Sequence, residues 1–193
     1  MLISPNKFIS YDTLFANINH KNEIVFYDHS AYNFLENKFK SGELDIKDKR
    51  VLDVGSNIGS YCFLSEKYGA IVTGVDFNTE LYNISLMIKN KLNSNVEFLN
   101  ININDYYMKN KHDVIYLFND PVTMRKSPEL VLNFLLKVLT SNIEYIYLIN
   151  DDNDGDLYLA RNLTKMYNIV NKEKINNNNI YFTLYKSKVI YTK

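Results

Sequence analysis

Residues 50–78, RVLDVGSNIGSYCFLSEKYGAIVTGVDFN, read as strand, glycine turn, helix, strand and acid. Val51, Leu52 and Val54 form a short apolar run of the kind that makes a buried strand. Asp53 interrupts that run, and Gly55 follows it at once. Ile58, Phe63 and Leu64 continue at helical spacing as far as Gly69, a stop signal. Residues 71–75 are a second, mostly β-branched run with Asp76 at its tip. The stretch is therefore a β-α-β unit. Its two strands are expected to be parallel, because the crossover between them carries a helix.

A parallel strand that ends in Gly-x-x-x-Gly lets the backbone double back beneath a ligand. Gly55 can take a positive φ that a side chain resists, and Gly59 lets the start of the helix lie close to the sheet. The free N–H groups of that helix start favour polar or negative ligand groups. An acid at the tip of the next strand, Asp76, can accept two hydrogen bonds from a ribose diol. The unit thus predicts a cofactor that contains a nucleoside. A dinucleotide site asks for G-x-G-x-x-G, whereas this chain has D-V-G-S-N-I-G. The acid two residues ahead of the first glycine suits a positively charged ligand group better than a pyrophosphate.

That pattern resembles motif I of the class I S-adenosylmethionine-dependent methyltransferases. The resemblance implies that Asp53, Gly55, Ser56, Asn57 and Gly59 line the loop around the methionine part of the cofactor. It places Asp76 at the ribose and counts Phe77, beside it, among the cofactor-binding residues. Many members have glycine where this chain has Asn57, although a D-V-G-x-N-x-G variant also occurs. The fold implied is a Rossmann-like three-layer α/β sandwich with a mostly parallel seven-stranded sheet that ends in a C-terminal antiparallel hairpin. In the family, an acid after the next strand meets the adenine amino group beside an apolar residue. The corresponding positions here are Asn102 and Ile103, with Asp105 as the fallback acid. An asparagine can accept from an amine through its carbonyl oxygen. A polar loop in an Asn-rich chain is the plain alternative.

Residues 113–118, DVIYLF, are a mostly apolar strand that should be central. Ligands of open parallel sheets lie outside the carboxyl ends of the strands, so Asn119 and Asp120 are expected at the reacting methyl group. Asn119 is the candidate contact to the cofactor and Asp120 the candidate general base. Asp120-Pro121 equally suits a helix start, with Asp as cap and Pro in the first turn. Enzymes that methylate base amino groups carry D/N-P-P-aromatic here. N-D-P-V lacks the second proline and the ring, which weakens a nucleic-acid reading.

Further out, Leu14, Phe15 and Ile18 have the spacing of a short helix face, and residues 24–27 suit an extended piece. Phe34, Leu35 and Phe39 are periodic again within 31–39, after Asp28 or Ser30 as cap, and Gly42 ends that helix. This N-terminal segment, 1–49, is expected to form a helical cap on the 50–193 core of a single domain. In the resembled family such segments close over the cofactor, which makes Tyr11, His29 and Tyr32 candidates for contact with substrate. Half-buried packing of the tyrosines is the plainer use. Residues 79–91 read as a helix and 96–101 as a strand. Leu132, Leu135, Leu136 and Leu139 repeat at helical spacing within 128–139 and should cover a sheet face. Residues 144–150 read as a strand, 157–167 as a helix, 169–175 and 180–191 as the closing extended pieces. The acidic run at 151–156, DDNDGD, lacks the helix before it and the glutamate after it that a calcium loop needs, so no metal is expected there.

The 193 residues suit one domain, and a hydrophobic content of 46% allows a sizeable core. Lys plus Arg equals Asp plus Glu at 22 each, so the basic footprint of a strong nucleic-acid binder is absent. The single cysteine, Cys62, cannot form an internal disulfide and is expected to pack in the helix after the glycine turn. No apolar run is long enough to span a bilayer, and the start of the sequence lacks a signal-peptide layout, so a cytoplasmic protein is the expectation. With a small N-terminal cap and no insertion, a small-molecule acceptor is the expectation for methyl transfer.

Overall fold

A computed structural model describes residues 16–18, 24–26, 30–107, 111–118, 133–134, 136–138, 140–151, 162–165, 167–175 and 180–188. In chain order the elements are β1 (Ala16–Ile18), β2 (Ile24–Phe26), α1 (Ser30–Ser41), β3 (Arg50–Val54), α2 (Ser60–Lys67), β4 (Ile71–Asp76), α3 (Thr79–Leu92), β5 (Glu97–Asn100), β6 (Val114–Phe118), β7 (Tyr145–Asp151), β8 (Tyr167–Lys174) and β9 (Ile180–Ser187). Residues 133–134, 136–138 and 162–165 are also helical.

Seven strands form one sheet in the order β5-β4-β3-β6-β7-β9-β8. β3 through β7 pair in parallel. β9 runs antiparallel to both of its neighbours, so β8 again points the same way as β7. The expected C-terminal hairpin is therefore β8–β9, with its second strand lodged inside the sheet. β6 is the middle strand, and all five of its residues are buried, as its apolar sequence requires.

In-register partners on parallel strands share a face, and this sorts the core into two layers. Val51, Val114, Tyr116, Phe118, Tyr147, Ile149 and Phe182 pack with α1 (Ala31, Leu35, Phe39), α2 (Tyr61, Cys62, Leu64) and α3 (Leu81, Ile88). Leu52, Val54, Ile115, Leu117, Ile146 and Leu148 pack on the other side with Phe134, Val138 and Leu163. The result is helix, sheet, helix, as the sequence implies. Ala31, Leu35 and Phe39 lie one turn apart along α1, which explains why that helix buries a single stripe. Asn78 caps α3, its side-chain oxygen accepting from the Glu80 and Leu81 amides at 2.9 and 3.3 Å.

Three local expectations need correction. Residues 16–18 are not the end of a helix; they pair antiparallel with residues 24–26 in a separate two-stranded ribbon. A short apolar run fits either period, and here a strand partner a few residues away decides it. Of the leucines read as one face over 128–139, Leu136 is 51% exposed, while Phe134 and Val138 are fully buried; Leu132, Leu135 and Leu139 lie outside the described residues. Tyr167 opens β8 instead of closing a helix. Its buried hydroxyl donates to the Ile143 carbonyl at 3.0 Å, a contact that draws the residue into the sheet layer.

Candidate functional site

β3 and β4 run parallel and end side by side at Val54 and Asp76, and the chain turns back between β3 and α2. Gly55 has φ 71°, and the amides of Gly55 and Ser56 both donate to the Val75 carbonyl, at 2.9 and 3.0 Å. The turn is thus tied to the end of β4. Asn57 has φ 54°, a left-handed conformation that asparagine tolerates better than other side chains. That explains how asparagine replaces glycine there. Its side-chain oxygen accepts from the next amide, Ile58, at 2.8 Å. Gly59 has φ 87°, and a Cβ on it would lie 2.4 Å from the Phe98 ring. Only glycine lets α2 start so near β5.

Asp76 does two jobs with one carboxylate. Oδ2 accepts from the Asn57 amide at 2.9 Å and Oδ1 from the Asn78 amide at 2.8 Å. It therefore joins the glycine turn to the start of α3. Each oxygen keeps a second lone pair.

Asp53 lies on the α2 side of the sheet, in register with Gly74 and Tyr116, and is 2% exposed. Its hydrogen-bond partner among the described residues is the thiol of Cys62, which donates to Oδ2 at 3.2 Å. Burial, with a smaller contribution from the negative charge of Asp76, pushes its carboxyl up to about 7, against a weaker opposing effect of the thiol bond. Cys62 is fully buried, and burial beside that acid holds the thiol well above its ordinary range. It packs, as expected, and is no nucleophile.

In the turn and first helical turn that follow this acid the hydroxyls of Ser56, Ser60 and Tyr61 are buried without a hydrogen-bond partner among the described residues. Such groups cost about 1–3 kcal/mol each when left unpaired. Three within six residues of chain, at the carboxyl end of a parallel sheet, mark a place built for something polar. Tyr61 also packs edge-on against Phe118, the last residue of β6, at 4.7 Å between ring centres. Tyr32 of α1 stands 6.3 Å from Tyr61. Burial first, then the charge on Asp53, raises the Tyr61 phenol, so it stays protonated and can donate. Burial first, then Glu36, likewise raises Tyr32.

The loop after β5 holds Asn102 and Ile103. Asn102 is exposed, and its side-chain oxygen accepts from the Asn104 amide at 2.9 Å. Ile103 is half-buried and packs on the apolar layer beneath. Phe77 is 58% exposed just past Asp76, a large apolar ring left in water at the rim. Asp105 is exposed, its amide bonded to the Asn102 carbonyl at 2.9 Å.

The structure brings Asp53, Gly55, Ser56, Asn57, Gly59 and Asp76 together around one turn. Tyr32 reaches it through Tyr61. Tyr11, His29, Asn119 and Asp120 lie outside the described residues, as does all of the acidic run after Asp151. Among the described residues no group of three or more metal-ligating side chains occurs, and no helix is long and apolar enough to cross a membrane. Sequence reading missed Ser60 and Tyr61, although their place in the first turn after the glycines was the available signal.

No protein-family model matches the chain, and no curated protein matches it in sequence. Solved structures do match in fold. One is an S-adenosylmethionine-dependent methyltransferase from Aquifex aeolicus, 20% identical, with 84% of this chain and 100% of that one covered and a TM-score of 0.62. Magnesium protoporphyrin IX methyltransferase from Synechocystis, with S-adenosylmethionine bound, is 12% identical over 81% of this chain and 77% of that one, at a TM-score of 0.63. A phosphoethanolamine N-methyltransferase from Haemonchus contortus, in complex with phosphoethanolamine and S-adenosylhomocysteine, is 14% identical over 85% of this chain and 44% of its own, at 0.63. Strand order, the reversed β9 and these likenesses agree: the chain has the class I methyltransferase fold.

Proposed function

We propose that this chain is an S-adenosylmethionine-dependent methyltransferase acting on a small-molecule acceptor by direct in-line transfer. The observation that carries the reading is the set of buried hydroxyls without a partner among the described residues, Ser56, Ser60 and Tyr61, in the segment that follows the buried acid Asp53, with Tyr61 close enough to feel its charge. An acid asks for a cation, and hydroxyl donors ask for an acceptor. An α-amino-acid end, with its ammonium and carboxylate, offers both. The free lone pairs of Asp76 suit a ribose diol, and Phe77, Asn102 and Ile103 form the rim for the base. These residue types fit the cofactor.

When bound, the cofactor supplies a methyl group on a sulfonium, a good leaving group. The chain's own residues then have to orient and dry the site, which can provide much of the rate. Asp53 and the three hydroxyls orient the amino-acid end. The rings of Tyr61, Phe118 and Tyr32 exclude water along the end of β6. Asn119 and Asp120 directly follow Phe118. In this reading Asn119 touches the cofactor, Asp120 takes the acceptor's proton where it has one, and Tyr11, His29 and Tyr32 meet the acceptor.

A small acceptor is supported by the zero net charge. A second reading, a cofactor-binding module without chemistry, draws on Asn102, whose side-chain oxygen is already engaged by Asn104. Protein or RNA acceptors are the remaining arms of the test. A free buried thiol supports a reducing compartment such as the cytoplasm.

Calorimetric titration with S-adenosylhomocysteine tests the cofactor. One site with a Kd of about 1–100 μM is expected, and no heat at about 1 mM ligand would overturn the reading. Methyl release from labelled S-adenosylmethionine, with amine, hydroxyl, peptide and RNA acceptors against a no-acceptor control, then separates enzyme from module.

A further inference from the structure

We infer that Lys137 is a positioning residue of the cofactor site, acting through the loop that carries Asn102 and Ile103. This rests on the reading of that loop as the rim for the base. Lys137 sits on the helical residues 136–138, more than thirty positions from the loop, and its ammonium donates to three backbone carbonyls there: Ile103 at 3.4 Å, Asn104, and Tyr106 at 3.1 Å.

Both sides of this clamp are anchored. Phe134 and Val138, on either side of Lys137 in the sequence and both helical, are fully buried. Tyr106 is buried in the same apolar layer, and Ile101 and Ile103 pack against it. The ammonium therefore comes from a fixed support and gathers carbonyls whose chain is itself half-fixed. Charge-assisted bonds are stronger than neutral ones, and three converging on one nitrogen specify a single course for the backbone. The loop's own bonds agree with that course: Asn102 accepts from Asn104 and Asp105, and Ile103 from Tyr106. With the carbonyls of 103, 104 and 106 turned toward Lys137, the side chains of Asn102 and Ile103 are presented from a loop that cannot relax toward the ligand. Nothing local marks Lys137 in the sequence.

The test compares the intact chain with Lys137→Met, Lys137→Gln and Lys137→Arg, using S-adenosylhomocysteine and 5′-methylthioadenosine, which lacks the amino-acid end. Lys137→Met is expected to weaken both ligands by the same factor, about tenfold, since they share the adenosine half. Lys137→Arg should recover most of the loss, because a guanidinium can still donate to carbonyls. The pH dependence of S-adenosylhomocysteine binding, which reports Asp53, should keep its shape in all variants. Unchanged affinities with only a lower melting temperature would make Lys137 purely structural and overturn the inference. Loss for S-adenosylhomocysteine alone would place its action at the amino-acid end and overturn it as well. Where Lys137→Met does not fold, Lys137→Gln, with a neutral donor, is expected to fall between wild type and loss. A wild-type chain that binds neither ligand defeats the cofactor reading itself, and the role of Lys137 with it.

Discussion

The two faces of the sheet are built from the same strands and differ in kind. The face toward Phe134, Val138 and Leu163 is aliphatic along β3, β6 and β7: Leu52, Val54, Ile115, Leu117, Ile146, Leu148. The face toward α1 and α2 carries an acid, Asp53, and a row of rings. Phe118 stacks on Tyr116 at 4.6 Å, Tyr116 stacks on Tyr147 at 5.3 Å, and Tyr147 meets Phe182 edge-on at 5.8 Å. Its polar atoms are matched selectively. The Tyr116 hydroxyl pairs with Ser65 at 3.0 Å, deep under α2, whereas the hydroxyls of Tyr61, Ser60 and Ser56 near the strand ends have no partner among the described residues. Among the described residues the aliphatic face has its own unpaired atoms, Asn104 Oδ1 and His112 Nδ1 near Tyr106, so the difference lies in the acid and the hydroxyls gathered in the segment after β3.

The sharpest way to break this contrast is to hollow the aliphatic face. Ile115→Ala, at a fully buried site in the middle strand, should cost about 4 kcal/mol in urea unfolding. What survives should bind S-adenosylhomocysteine with unchanged affinity at low temperature. A selective loss of ligand instead would mean that the faces are not separable.

Asp53→Asn is the opposite experiment. The folded carboxyl titrates at about 7 against an ordinary 3.8, so its contribution is fully present below about pH 4 and is lost as pH rises through 7. The empty protein therefore carries a penalty on the order of 4 kcal/mol at pH 8, which the asparagine removes. Denaturant midpoints should rise at pH 8 and stay level at pH 4, while affinity for S-adenosylhomocysteine falls by tenfold or more, about 1.4 kcal/mol.

His112 titrates the other way. Burial first, then Arg50 and Lys111, depress it to about 4 from 6.5, and its ring nitrogen bonds the Tyr106 hydroxyl at 3.0 Å. A depressed histidine stays neutral in the fold while the unfolded chain takes up the proton. Stability contributed by the neutral ring is complete above pH 6.5 and disappears as pH falls toward 4, on the order of 2–3 kcal/mol. Asp53 and His112 thus oppose each other between pH 4 and 6.5. Relative to wild type, Asp53→Asn should make stability rise more steeply with pH there, and His112→Gln should tilt the profile the other way. Parallel profiles for the two variants would contradict both assignments.

The smallest effect belongs to Tyr61→Phe. Removing a buried hydroxyl without a partner should raise the stability of the empty chain by about 1 kcal/mol and lower its affinity for the cofactor. A drop in stability would show that the hydroxyl is already satisfied.

What could be read from the sequence was what its neighbours in the chain determine. Gly55, Asn57 and Gly59 declare the turn because their backbone angles are local matters, and Asp76 declares the end of a strand by where its β-branched run stops. Helix α1 was legible from Phe34, Leu35 and Phe39, although Ala31, Leu35 and Phe39 are the residues that form its buried stripe. Partners distant in sequence were not legible. The bond from Cys62 to Asp53, the reach of Lys137 across to residues 103–106, and the pull of Ile143 on Tyr167 arise only when layers meet. Leu136 shows the same limit: its spacing fits a buried stripe, yet it is 51% exposed while Phe134 and Val138 are fully buried.

The placement of β9 between β7 and β8 has a bearing on how the chain matures. β8 leaves the ribosome first, yet the strand it bonds to is β9. Until residues 180–187 are available, β7 therefore keeps an open flank and β8 has nothing to zip onto. Two strand pairings close together when that last piece slides in, one to each side, and the slot it fills is sensitive to anything that delays it.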